Sequence, residues 1–457
     1  MKYDVVVIGS GIGGYPAAIY LADRGYRVAV VEKHFIGGEC TNYGCVPSKA
    51  FYQFAESVRN IEKVKGNVFY NWVELVEWVK NIVKESREGL EYLLENRGIE
   101  IYNGLGRLVD KNKVLVEKEG DVIELETDKI ILALGTVPLD IPIARFDGDK
   151  IISNREVFYL KEKPGSVLIV GGGVIGVELA NIYSSLGVDV TIVELLEHIL
   201  PFTDKDIAIA LKQYLVQRKV RIFEKTTVSK IDKYSDRCLV ELTNGERIEV
   251  DKVIVAIGRK PDTQNIGLEN IGVEIDKKGF IKVNEDLETS VKNIYASGDV
   301  IGGPLLAHKA LLESISIAKR IAREESFRVD YRLVPITIFT GLEIASIGYS
   351  EKDLQSINIK YVKYKIPLYY LSSVKIKGFK NAFIKILMDE NSERIYGIHI
   401  VSPNASEVVS SYLPLIVGKL GFREARSIPY PHLTVSESLR DISEYIIGEP
   451  IHLFLKK

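Results

Sequence analysis

Two stretches of the chain repeat one order of apolar runs, glycines and helical periodicity. Val5-Val6-Val7-Ile8 is apolar without alternation, as expected for a strand covered on both faces of a parallel sheet. Gly9-Ser10-Gly11-Ile12-Gly13-Gly14 follows, then a helical pattern over 16–24 and a strand over 28–31 that ends at Glu32. The later copy has a strand over 167–170, then Gly171-Gly172-Gly173-Val174-Ile175-Gly176, a helix over 177–186 and a strand over 190–193 that ends at Glu194. From positions 9 to 32 and 171 to 194 the spacing from first glycine to carboxylate is 23 in both.

Between and beyond the copies the pattern predicts helices over 48–59, 72–96 and 307–323. An apolar strand runs into a Gly turn and then Pro at 130–138, with Gly135, and again at 253–261, with Gly258. Each is expected to bring the chain back to the mouth of a sheet. Another strand ends at Gly298-Asp299. From about 331 the pattern changes to strands over 335–346 and 382–388 and helices over 406–420 and 434–442. The expected fold is α/β: two Rossmann-like dinucleotide-binding domains plus a C-terminal α+β domain.

Each part of the repeated unit has a physical reason. One glycine permits the tight turn, one lets backbone approach a pyrophosphate, and one lets the helix pack on the strand. The helix N-terminus then offers N–H groups and a favourable dipole to phosphates. The terminal carboxylate accepts hydrogen bonds from a ribose. Glu194 would repel a 2′-phosphate, and Leu195-Leu196-Glu197-His198-Ile199 supplies no Arg or Lys to receive one, so NAD is favoured over NADP.

Composition narrows the function classes. With 457 residues, about three domains are expected. Lys plus Arg number 60 against 62 Asp plus Glu, without a long basic run, so nucleic acid and anionic membranes have no compositional support. No uncharged stretch reaches the roughly 18–20 residues a bilayer span needs. No signal-peptide pattern opens the chain, which reads as soluble and cytoplasmic. Three cysteines make no secreted framework, and no metal-ligand spacing stands out.

Two of those cysteines, Cys40 and Cys45, lie in Gly37-Gly38-Glu39-Cys40-Thr41-Asn42-Tyr43-Gly44-Cys45-Val46-Pro47-Ser48-Lys49, just before a helix start expected near Pro47. Such a pair can close into a disulfide and reopen, and a helix N-terminus favours thiolate at Cys45. The bland alternative is a stabilising local bridge or two buried thiols. Thiol chemistry also needs a base, and His432 is the best of the six histidines because Glu437 follows at a spacing that could orient it. Cys238 reads as an ordinary strand thiol, His399 as structural, and Trp72 and Trp78 as packing residues.

Together, the first glycine loop, the Cys40–Cys45 segment, the Gly171 loop with Glu178, the Gly298-Asp299 turn and Tyr430 to Glu437 resemble the flavin-dependent pyridine nucleotide–disulfide oxidoreductases over essentially the whole chain. Within that family the chain is most similar to the dihydrolipoyl dehydrogenase branch. The resemblance implies FAD on Gly9, Gly11, Gly14, Glu32 and Asp299, with Ala307 and His308 near the flavin ring and Gly135 also cofactor-binding. It implies NAD on Gly171, Gly173, Gly176 and Glu194, with Gly258 in the corresponding turn. Lys49 and Glu178 would form an ion pair beside the flavin. Cys45 would face the flavin, Cys40 would exchange with substrate, and His432 with Glu437 would act on the other subunit's disulfide in a homodimer. The implied domains are 1–147 completed by 275–330 for FAD, 148–274 for NAD and 331–457 for dimerisation. The implied partner is lipoamide or a lipoyl carrier domain, within a 2-oxo-acid dehydrogenase complex.

The chain departs from the family where His-x-His-Pro is usual. It has Tyr430-Pro431-His432-Leu433, so the peptide normally cis before Pro now precedes Leu433, with a cis Tyr430-Pro431 bond as an alternative. Ala133-Leu134-Gly135 and Leu342-Glu343 also differ from the usual Ala-Thr-Gly and Pro-Glu. A mercuric reductase-like enzyme would want cysteines after Cys238, and none follows. A reductase of another small disulfide stays open. A non-catalytic redox sensor that kept the fold would lack the base, a cysteine or a glycine loop, and none is missing.

Overall fold

A computed structural model describes residues 1–454. The chain divides into two compact units, the first made of 1–51, 69–163 and 257–331, the second of 52–68, 164–256 and 332–457.

The first unit is built on a seven-stranded sheet. Strand Lys2–Ile8 lies between Val28–Glu32 and Asp121–Leu132, parallel to both, and Ile294–Ala296 adds in parallel beyond Asp121–Leu132. Strands Lys113–Lys118 and Leu105–Asp110 extend the sheet in antiparallel fashion. The unbroken apolar run at 5–8 serves two cores at once. Val5 and Val7 point into one cluster with Ala17, Ala18 and Leu21, whereas Val6 and Ile8 point into another with Leu125, Leu132 and Ile294. Alternation along the strand is therefore present, but both faces are dry.

In the second unit, strands Arg221–Glu224, Asp189–Glu194, Ser166–Val170 and Lys252–Val255 form a parallel sheet in that order. A three-stranded antiparallel meander carries Cys238, buried on strand Cys238–Leu242. The C-terminal region holds a five-stranded antiparallel sheet in the order Ile336–Ile338, Glu343–Gly348, Ile395–Ser402, Phe383–Met388, Val362–Pro367, with helix Ala405–Ile416.

Some expected elements differ. The strand expected over 335–346 is two strands, interrupted where the Thr340 hydroxyl turns back onto the Leu342 carbonyl. The helix expected from 48 begins at Cys45, and the one expected from 434 is Ser438–Ile446. Trp72 is buried and donates its indole N–H to the Leu160 carbonyl, but Trp78 is 44% exposed, less packed than expected. His399 is buried between the Ser346 hydroxyl and the Tyr349 carbonyl, and its burial pushes the imidazole pKa down.

Candidate active site

The two glycine loops share their local geometry. Gly9 and Gly171 both take positive φ, at 102° and 108°. A Cβ on Gly14 would lie 2.1 Å from the Gly9 carbonyl oxygen, and one on Gly176 would lie 2.0 Å from that of Gly171. The middle glycines are different: a Cβ on Gly173 would meet nothing within 4 Å, and on Gly11 the nearest atom is 3.9 Å away. Each loop thus closes tightly on its own backbone at the first and last glycine and leaves space at the middle one. Helices Tyr15–Ala22 and Val174–Ser185 start there without a side-chain cap.

The carboxylates match too. Buried Glu32 accepts the Ser10 N–H at 2.9 Å, the Ser10 hydroxyl at 2.7 Å and the His34 N–H at 2.9 Å. Buried Glu194 accepts the Gly172 N–H at 2.7 Å and the Leu196 N–H at 2.8 Å. In both copies, backbone from the glycine loop fixes the acid at the strand's end.

Against the first glycine loop, Ser297 holds the Gly13 carbonyl through its hydroxyl at 2.6 Å. Gly298 donates to buried Glu313 at 2.8 Å, and fully buried Lys309 donates to the Gly298 and Gly302 carbonyls. Asp299 is thereby set beside Thr136, whose hydroxyl donates to it at 3.1 Å. Burial pushes the Asp299 carboxyl above the usual carboxylate range, against the pull of Arg259 and Lys309. Ala307 opens helix Ala307–Ile321, which carries Lys309 and Glu313. Gly135 and Gly258 sit at positive φ, with open space where a Cβ would be. The strands that follow them, Thr136–Pro138 and Arg259–Pro261, pair with each other in antiparallel fashion.

Cys40 lies on the short helix Gly38–Asn42, and Cys45 is the first residue of helix Cys45–Glu62. Both are thiols, Cys40 half-buried and Cys45 exposed. The side chains meet: a hydrogen bond with Cys45, followed by burial, pushes the Cys40 thiol pKa up, while the nearby Lys49 ammonium works against the rise. Lys49 follows Cys45 by one helical turn. In the second unit, buried Glu178 accepts the Phe339 N–H at 2.9 Å.

His432 and Glu437 come together. The His432 Nδ1 lies 3.0 Å from a carboxylate oxygen of Glu437, with the ring exposed and the carboxylate buried. Glu437 precedes helix Ser438–Ile446. The Thr434 hydroxyl donates to the Pro431 carbonyl, which makes 431–434 a turn instead of a helix start. No cis peptide occurs among the described residues, so neither cis bond anticipated for this loop is present. Leu433 instead adopts φ +62°, a left-handed conformation that is costly because it brings the Cβ close to the following carbonyl oxygen.

The residues around the Cys40 helix escape a motif search. Glu39 receives Arg155, Asn154 and Arg259, and Arg259 also holds Thr136. The only sequence signal was the Gly258-Arg259-Lys260-Pro261 turn, whose likeness to 135–138 marked a fold position and not a role.

These loops and carboxylates suit two dinucleotides, and comparison with known proteins agrees. Residues 3–314 match the pyridine nucleotide-disulphide oxidoreductase family model, and residues 334–442 match that family's dimerisation domain. The chain belongs to the pyridine nucleotide–disulfide oxidoreductase family, whose cofactors are FAD and NAD(H). It is 35% identical to the mitochondrial dihydrolipoyl dehydrogenase of Bos taurus, over 96% of this chain and 89% of that one. It is 33% identical to the dihydrolipoyl dehydrogenase of Geobacillus stearothermophilus, over 100% and 98%. Among solved structures, LpdA from Mycobacterium tuberculosis superposes with a TM-score of 0.90 at 26% identity, covering 97% of this chain and 99% of that one. The HOCl-induced flavoprotein disulfide reductase RclA from Escherichia coli gives 0.89 at 25% identity, covering 98% and 100%. The dimerisation domain supports a homodimer. Among the described residues no helix is long and apolar enough to cross a membrane.

Proposed function

We propose that this chain oxidises dihydrolipoamide to lipoamide with NAD as acceptor, through a reversible Cys40–Cys45 disulfide. The observation that carries the reading is the side-chain contact of Cys40 with Cys45, close after the first dinucleotide loop, in a chain similar end to end to dihydrolipoyl dehydrogenases. In the oxidised enzyme, a substrate thiolate attacks the Cys40 sulfur, the Cys40–Cys45 bond breaks, and Cys45 leaves as thiolate. The second substrate thiol then displaces Cys40, so lipoamide leaves and two electrons stay on the cysteine pair. His432 takes the substrate protons, with Glu437 holding its ring and balancing its charge. Gly9, Gly11, Gly14, Glu32 and Asp299 would hold FAD, which would supply the hydride-transfer chemistry that links the Cys45 thiolate to NAD.

In this reading Gly9, Gly11, Gly14, Glu32, Lys49, Gly135, Asp299 and Ala307 serve FAD. Gly171, Gly173, Gly176, Glu194 and Gly258 serve NAD, and Glu178 pairs with Lys49 beside the flavin. The domains are 1–147 with 275–330, then 148–274, then 331–457. His432 works on the disulfide of the second subunit, and the carrier is a lipoyl domain of a 2-oxo-acid dehydrogenase complex.

A second reading, reduction of another disulfide by NADH, is favoured by the similarity to RclA and by Leu433 in the base loop. The two separate in one assay of the FAD-loaded enzyme. NAD reduction by free dihydrolipoamide should far outpace NADH oxidation by small disulfides such as oxidised glutathione. The reverse ranking would remove lipoamide as the substrate.

A further inference from the structure

The carboxylate next to Cys40 is unusually well held. One Glu39 oxygen accepts Nε and Nη2 of Arg155 at 3.0 and 2.8 Å. The other accepts Nδ2 of Asn154 at 3.0 Å and lies 2.9 Å from Nη2 of Arg259. Burial alone would raise its pKa, but Arg259 and Arg155 outweigh burial and hold it below the ordinary carboxylate range. Asn154 also grips the backbone that follows Cys40, donating to the Tyr43 carbonyl, and beside it Tyr159 donates to the Asn42 carbonyl at 2.5 Å. Arg259 continues to Thr136, through Nε on the hydroxyl at 2.7 Å and Nη2 on the carbonyl at 2.8 Å, and the Thr136 hydroxyl reaches Asp299. A helix as short as Gly38–Asn42, entered through Gly37 and Gly38 at positive φ, has little stiffness of its own.

We propose that Glu39 is the positioning residue of the cysteine pair: its clamp by Arg155, Asn154 and Arg259 keeps the Cys40 sulfur against that of Cys45 once their bond has opened. This deepens the redox reading of Cys40 and Cys45 and rests on it. Two effects of losing Glu39 act in one direction. A loosened loop gives the open dithiol more conformational freedom, which favours it over the disulfide. The guanidiniums left without their carboxylate also favour thiolate over disulfide.

The test is the disulfide–dithiol equilibrium of the FAD-loaded enzyme in dithiothreitol redox buffers. The cysteines are trapped by alkylation and read by mass spectrometry. Glu39→Ala is expected to move the equilibrium at least tenfold toward the dithiol, which for a two-electron couple is about 30 mV. Asn154→Ala, a neutral change that removes the bonds to Glu39 and Tyr43, is expected to move it at least threefold the same way. A clamp that served stability alone would lower the unfolding temperature and leave this equilibrium unmoved, so unchanged constants in both variants would overturn the inference. If the unmodified enzyme forms no Cys40–Cys45 disulfide at all, the redox reading itself fails.

Discussion

His432 presents an exposed ring with one nitrogen already committed to a buried carboxylate, which leaves the other nitrogen for a substrate proton. His432→Ala is therefore expected to cut turnover with dihydrolipoamide by about 10²–10⁴, the usual worth of a general base. Reduction of the cysteine pair by NADH should persist in that variant. Turnover within tenfold of the unmodified enzyme would place the base elsewhere. The pairing with Glu437 was legible from the spacing of 432 and 437. The loop's backbone was not, because it depends on a Thr434 hydroxyl turning back on Pro431 and on Leu433 accepting a left-handed conformation. The glycines were legible in kind. Gly176→Ala would press a Cβ to 2.0 Å from the Gly171 oxygen, so the loop would have to open. Its expected result is a KM for NAD raised tenfold or more in a protein that stays yellow with FAD, as measured by steady-state kinetics. An unchanged KM would show that this loop does not hold NAD.

At the scale of elements, the repeated strand–glycine–helix–strand unit was readable because its logic is local. The pairing of Thr136–Pro138 with Arg259–Pro261 was not, since it joins positions more than a hundred residues apart and period alone carries no register. Long-range charge burial was equally invisible. Strand Phe383–Met388 buries Lys385 completely, with its Nζ at 2.7, 2.8 and 2.9 Å from Asp204, Asp206 and Glu351. Those carboxylates converge as if around a cation, and the lysine ammonium occupies the centre. Against burial, the pairings with Lys365 and Lys385 hold Asp206, and those with Lys363 and Lys385 hold Glu351, below the ordinary carboxylate range. Carboxylates depressed in the fold contribute stability above their unfolded pKa values and lose it as pH falls through the folded ones. Lys385→Met should cost about 3–5 kcal/mol at pH 7 by stranding buried charge. That deficit should shrink toward pH 4.5, where the stranded acids protonate. Urea unfolding at both pH values checks this, and an equal deficit at both would contradict it.

At the scale of the whole chain, order of motifs did what no single motif could. Two glycine units, a cysteine pair between them and a terminal His–Glu pair define the family, and the matches over 3–314 and 334–442 agree with that order. Substrate choice is weaker at this scale, because LpdA and RclA superpose on the chain almost equally well. Electron transfer through Cys40 and Cys45 is open to a direct spectroscopic test. The FAD-loaded enzyme should be titrated anaerobically with NADH while long-wavelength thiolate–flavin charge-transfer absorbance is recorded. A band is expected to appear in the unmodified enzyme, to survive in Cys40→Ser and to be absent in Cys45→Ser. A band that survives in Cys45→Ser, or none in the unmodified enzyme, would contradict that electron route.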